Sequence, residues 1–162
     1  MNNDTTVHTH ECDFTNEADR KAVGTLMNAY IQDQYGGGEL LDMSRQLRLV
    51  DALNEHPKAI VVLAEIDRVR CGMVVAFENF STFSVRPMIN IHDVIVLEEY
   101  RGKGVGRRLM EAIETIARER QCSRITLEVR EDNVVAQRLY KKMGFGETAP
   151  PMLYWRKYLD RK

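Results

Sequence analysis

Apolar residues along this chain follow two rhythms, one of about 3.6 residues and one of two, and their succession predicts the elements. Helical spacing comes first. Ala22, Leu26, Ala29 and Tyr30 recur within Asn16–Gln34, with acidic and amide residues gathered at its start, and Gly36-Gly37-Gly38 ends it. Ser44–Asn54 predicts a second helix, capped by Ser44 and followed by Pro57. Ala59–Ile66 and Arg70–Phe80 then predict a hairpin of two strands around Asp67-Arg68. Ser81–Pro87 reads as a loop and Met88–Leu97 as a long strand. Met1–His10 is polar and is expected to be a frayed, flexible tail.

The strongest amphipathic pattern is Gly104–Arg120, with Val105, Leu109, Ala112, Ile113, Ile116 and Ala117 on one face and charges on the other. Such a helix packs on a sheet. Arg124–Arg130 alternates Ile125, Leu127 and Val129 with polar residues, as a half-buried strand does. Asn133–Met143 is helical, with Gly144 as a left-handed terminator. Phe145 opens a short strand, Pro150-Pro151 breaks it, and Met152–Leu159 alternates as the last strand. This order predicts one α/β (α+β) domain over residues 1–162, with a mostly antiparallel sheet and one parallel crossover through helix 104–120.

Composition narrows the function by exclusion. A net charge of -1 argues against bulk binding to nucleic acid. No apolar run approaches a membrane span, and the N-terminus lacks the apolar stretch of a signal peptide, so no membrane partner and a cytoplasmic location are expected. Cys12, Cys71 and Cys122 are scattered and odd in number, as reduced thiols are. His8 and His10 have no further ligands nearby, so no metal is expected.

The chemistry concentrates at Tyr100–Gly106, YRGKGVG, between the strand and the amphipathic helix. Gly102, Gly104 and Gly106 let the backbone approach a ligand. Arg101, Lys103, Arg107 and Arg108 surround the turn, with no acid between Tyr100 and Met110. Cations at a helix N-terminus are unfavourable until an anion arrives, and the amides of that first turn suit a phosphate. No Walker A string exists, and a dinucleotide fingerprint fails because Arg107 stands at its third glycine. What remains is Arg-x-x-Gly-x-Gly, formed by Arg101, Gly104 and Gly106.

With the downstream string Asn133, Ala136, Leu139, Tyr140, Gly144, Phe145, this loop closely resembles the coenzyme A loop of the GNAT superfamily of N-acetyltransferases. The resemblance covers roughly Ile89–Phe145 well and the rest only in element order. It implies a GNAT-like mixed, mostly antiparallel, splayed sheet of about six to seven strands flanked by about four helices. It implies acetyl-coenzyme A as cosubstrate and a small-molecule or peptide amine as acceptor, and homodimers are common in that family. The backbones of Val94, Ile95 and Val96 would line the pantetheine arm, which pairs with the splayed strand as an added strand would. Arg101, Gly102, Lys103, Gly104, Val105, Gly106 and Arg107 would hold the diphosphate. Asn133 would contact the cofactor, and Tyr140 would donate a proton to its sulfur.

Amide formation from a thioester needs a neutral amine, yet only roughly 0.04% of an alkyl amine of pKa about 10.4 is neutral at pH 7. A base is therefore required. His92 and Asp93, on the strand entering the splay, are the candidates, with His92 as the base and Asp93 orienting it or the substrate. Asp93 shares its alternation with Ile89, Ile91 and Ile95, an uncommon place for a carboxylate. In the polyamine acetyltransferase branch an acidic pair lies at these two positions; His92 departs from it, which argues against a polyamine acceptor. Asp33, Glu39 and Asp42 suit a cationic amine and Arg86 an acidic one, so the acceptor stays open. The alternative function is a coenzyme A-binding regulatory module without turnover.

Overall fold

The computed structural model describes residues 6–159. Strand β1 (His8–Glu11) is followed by helices α1 (Glu17–Gln32) and α2 (Met43–Glu55). Strands β2 (Ala59–Ile66), β3 (Val69–Ser81) and β4 (Arg86–Val96) come next, then α3 (Val105–Glu119), β5 (Ile125–Leu127) and α4 (Val134–Lys142). The five strands form one sheet in the order β1-β2-β3-β4-β5, antiparallel except for the parallel pair β4–β5.

Strict alternation in β2 divides the core. Ile60, Val62, Ala64 and Ile66 pack against Val105, Leu109, Ile113 and Ile116 of α3 on one face. Val61 and Leu63 pack against Val23, Leu26, Val50 and Leu53 of α1 and α2 on the other. Each fully buried aliphatic side chain contributes about 1.5–3 kcal/mol, so the sheet is clamped from both sides. Asp67 and Arg68 turn the β2–β3 hairpin with φ of 49° and 65°, the left-handed pair of a tight hairpin turn.

Several expectations are corrected. Residues 1–5 of the expected tail lie outside the described residues, but His8–Glu11 is a strand paired with Val62–Glu65. Its anchor is Asp19 of α1, whose side chain is 2% exposed. That carboxylate accepts His10 Nε2 at 3.0 Å, the Asp13 amide at 3.1 Å and Arg70 Nε at 3.0 Å, tying β1, α1 and β3 together. The cap of α2 is Asp42, which accepts the Arg45 amide, rather than Ser44. Strand 124–130 shrinks to Ile125–Leu127. Phe145 and Met152–Leu159 form no strands, which leaves five strands among the described residues instead of six to seven. A three-residue β5 offers few ladder positions, and Pro150 and Pro151 have no N–H to donate. Residues 146–159 are consequently exposed, Trp155 and Leu159 among them.

Burial works against the charge on Asp19, but the Asp13 amide, His10 and Arg70 outweigh it and hold the carboxyl below its ordinary value. A carboxyl depressed in the folded state adds stability above its unfolded pKa of about 3.9, and that stability is lost as the pH falls through the folded value. Asp19→Ala should therefore cost about 3 kcal/mol at neutral pH. The gap between variant and wild type should close in acid, as read from denaturant melts between pH 7 and pH 2; a gap that persists there would show that Asp19 acts by packing alone.

Candidate active site

Helix α3 begins without a side-chain cap, because its N-cap is Gly104 in the left-handed region at φ 81°. Its first intrahelical bond runs from the Arg108 amide to the Gly104 carbonyl at 3.0 Å. The amides of Val105, Gly106 and Arg107 precede that bond and point out of the helix end. A Cβ placed on Gly104 or on Gly102, whose φ is 77°, would meet nothing within 4 Å, so the hollow in front of the turn is open. At Gly106 a Cβ would lie 3.1 Å from Leu139 Cδ2; this glycine serves the packing of α3 on α4. Amides and cations around an open hollow are the donor set a diphosphate takes.

The surrounding charges are more committed than their spacing implies. Arg107 and Arg108 pair with Glu111 one turn on, at 2.8 and 3.1 Å. Arg101 pairs with Asp33 at the end of α1, at 2.6 Å. Lys103 extends over the Tyr100 ring, 4.9 Å from its centroid.

Next to this loop the sheet opens. Strand β5 pairs with β4 only through Ile89, Ile91 and the residue between them, and from Asp93 to Val96 the only strand paired with β4 is β3. The cause is a bulge. Ala76 faces Ile91 and Val75 faces Asp93, which leaves His92 as an extra residue without a cross-strand partner. The bulge reverses the alternation, so Asp93 does not share a face with Ile89 and Ile91 as simple counting gives. Ile89 and Ile91 face α3, whereas Ile95 faces α1 and α2, and Asp93 lies two residues before it on that face. The Leu97 amide donates to the Cys71 carbonyl at 2.9 Å, which fixes the pattern: Ile95 bonds toward β3, and Val94 and Val96 turn their backbone groups to the gap.

The candidate side chains near this edge are divided between the two faces of the sheet. Tyr140 of α4 packs with the α3-side core, its ring 6.0 Å from Phe145. Burial, then the neighbouring Tyr30, pushes its phenol up to about 12, so it is protonated at neutrality. Asn133 caps α4 by accepting the Ala136 amide at 3.1 Å. From the other face come Asp93 and His92, with His92 Nδ1 4.0 Å from Asp93 Oδ2. Asp93 is 22% exposed and His92 64%. Burial raises the Asp93 carboxyl above its ordinary value, partly offset by His92. The His92 ring stands edge-on to Phe77, at 5.6 Å between centroids.

A family model described as the acetyltransferase (GNAT) family matches residues 23–145. The chain belongs to that family. It is 25% identical over 130 residues to the uncharacterized N-acetyltransferase YhfO of Bacillus subtilis, covering 80% of this chain and 85% of that one. It is 31% identical over 104 residues to the spermine/spermidine N(1)-acetyltransferase of the same organism, covering 63% of this chain and 68% of that protein. Its fold matches the crystal structure of a probable acetyltransferase with a TM-score of 0.79 at 22% identity, over 96% of this chain and 99% of the other.

As a GNAT member the chain belongs among N-acetyltransferases, whose cosubstrate is acetyl-coenzyme A. Tyr30, read from the sequence only as part of an apolar stripe, is brought by α1 near Asp93 and Tyr140. Its phenol is raised by burial and then by the charges of Asp93 and Asp33. The only signal for it was a tyrosine at the end of an otherwise apolar helical stripe.

Gly104→Val should abolish coenzyme A binding, because the side chain fills the hollow in front of the α3 amides. The left-handed φ costs a β-branched residue on the order of 1–2 kcal/mol, so the melting temperature should fall only a few degrees. Thermal melts with and without coenzyme A check both; a normal ligand-induced shift would place the cradle elsewhere.

Proposed function

We propose that this protein is a single-domain N-acetyltransferase that moves the acetyl group of acetyl-coenzyme A to a primary amine by direct attack in a ternary complex. The observation that carries the reading is the parting of β4 from β5 beside an open helix N-terminus, with Tyr140 on one face and Asp93 on the other. The carrier, when bound, supplies an activated acetyl thioester.

The residues then divide the work. The amides of Val105, Gly106 and Arg107 hold the diphosphate, with Lys103 beside them and Gly102 and Gly104 keeping the approach open. Backbone groups of Val94 and Val96 hold the pantetheine arm and donate to the oxygen that gains charge. Tyr140 presents a protonated phenol to the departing sulfur. Asn133 fixes the start of α4 and so the place of Tyr140. His92 takes the proton of the amine and Asp93 orients it.

Direct attack is favoured over a covalent route by the state of the cysteines. Burial, then Asp19 and Asp13, pushes the Cys12 thiol up to about 12. Burial also raises Cys71 and Cys122, so none of the three offers a ready thiolate.

An amine panel with thiol detection tests the reading. Amine-dependent release of coenzyme A thiol is expected from wild type, and Tyr140→Phe should lower kcat by about 10²-fold with coenzyme A affinity unchanged. Tight coenzyme A binding with no amine-dependent thiol release would instead favour a regulatory module. Equal rates for wild type and Tyr140→Phe would leave Tyr140 as a packing residue.

A further inference from the structure

Asp33 joins the end of α1 to the glycine loop before α3. One carboxylate oxygen accepts Arg101 at 2.6 Å and the other accepts the Tyr35 amide at 3.0 Å. Its side chain is only 14% exposed. Arg101 also donates through Nε to the Val96 carbonyl at 3.1 Å. The guanidinium next to Gly102 therefore bridges α1 to the open edge of β4.

The turn that carries Asp33 is firmly set. A Cβ on Gly36 would lie 1.9 Å from the Tyr30 carbonyl, so only glycine lets the chain fold back over the helix end. The Tyr35 hydroxyl donates to the Asp132 carbonyl at 3.4 Å, beside the start of α4. One short turn thus touches both the loop before α3 and the segment before α4.

Two partners compete for Arg101. A diphosphate in the α3 cradle carries more negative charge than one carboxylate and offers more oxygens to a guanidinium fork. We propose that Asp33 determines specificity for a cationic acceptor, masked by Arg101 until the carrier's diphosphate draws Arg101 away. The inference rests on the acetyl-transfer reading for the identity of that carrier.

The surroundings support an ammonium as the new partner. Burial opposes the charge on Asp33, but the Tyr35 amide and Arg101 hold its carboxyl below the ordinary range. Tyr30 of α1 feels the charges of both Asp93 and Asp33. Two arginines that could receive an anionic acceptor are already committed. Arg86 is committed to the Gln121 carbonyl at 3.1 and 2.7 Å, and Arg130 is forked on Asp132 at 2.9 and 2.8 Å. Glu39 pairs with Arg45 and Asp42 caps α2, whereas Asp33 is paired with the arginine that also reaches the Val96 carbonyl of β4.

Binding of the carrier and of the amine are coupled in this scheme, and such coupling is reciprocal. Calorimetry with 1,4-diaminobutane as the cationic probe, with and without saturating coenzyme A, tests it on the intact chain. Wild type should bind the diamine about tenfold more tightly when coenzyme A is present. Asp33→Asn keeps the acceptor for the Tyr35 amide but frees Arg101 in advance. It should bind coenzyme A about threefold more tightly and show no coenzyme A-dependent gain for the diamine, and Asp33→Glu should restore part of that gain. Melting curves matched to wild type confirm that the variants fold. Coenzyme A binding with a diamine affinity that ignores it, or an Asp33→Asn variant identical to wild type, overturns this proposal alone. A wild-type protein that fails to bind coenzyme A overturns the acetyl-transfer reading and this proposal with it.

Discussion

One extra residue in one strand governs the site. Because His92 has no partner across β3, the second half of β4 is turned relative to the first, and β5 cannot follow it past Leu127. The backbone of Val94 and Val96, left without a partner strand on the β5 side, and the reversed facing of Asp93 both descend from that offset. A regular strand would have continued the ladder and closed the sheet.

The gap also explains the division of labour between the two faces. On the α3 side are the helix amides, Tyr140 and Asn133, which suit an elongated anionic carrier. On the α1 side are Asp93, His92, Tyr30 and Asp33, which suit a basic group. On the proposed reading the two reactants would meet at this opening from opposite faces, and the buried hydrophobic layers on either side hold the sheet in shape.

Much of this was legible in the residues themselves. The glycines of the loop and the 3.6-residue stripe of α3 are local signals, and α3 and α4 form where they point. The reversal at His92 was not legible, because a bulge belongs to a pairing of two strands and no residue type announces it. Strand β1 escaped notice because four polar residues, His8–Glu11, show no apolar alternation; it is held by backbone pairing and by Asp19. Met152–Leu159 shows the reverse error, since alternation alone does not make a strand. The pairing of Asp33 with Arg101 spans 68 residues and depends on the fold that brings α1 over the loop.

The short N-terminal strand has a role out of proportion to its length. It covers the flank of β2, whose residues from Ile60 to Ala64 are all buried. Were it trimmed away, that flank would present a row of bare amides and carbonyls on a strongly apolar ribbon, the kind of surface on which separate molecules stack. Those few polar residues act as a guard against self-association, and shortened versions of the chain forfeit it.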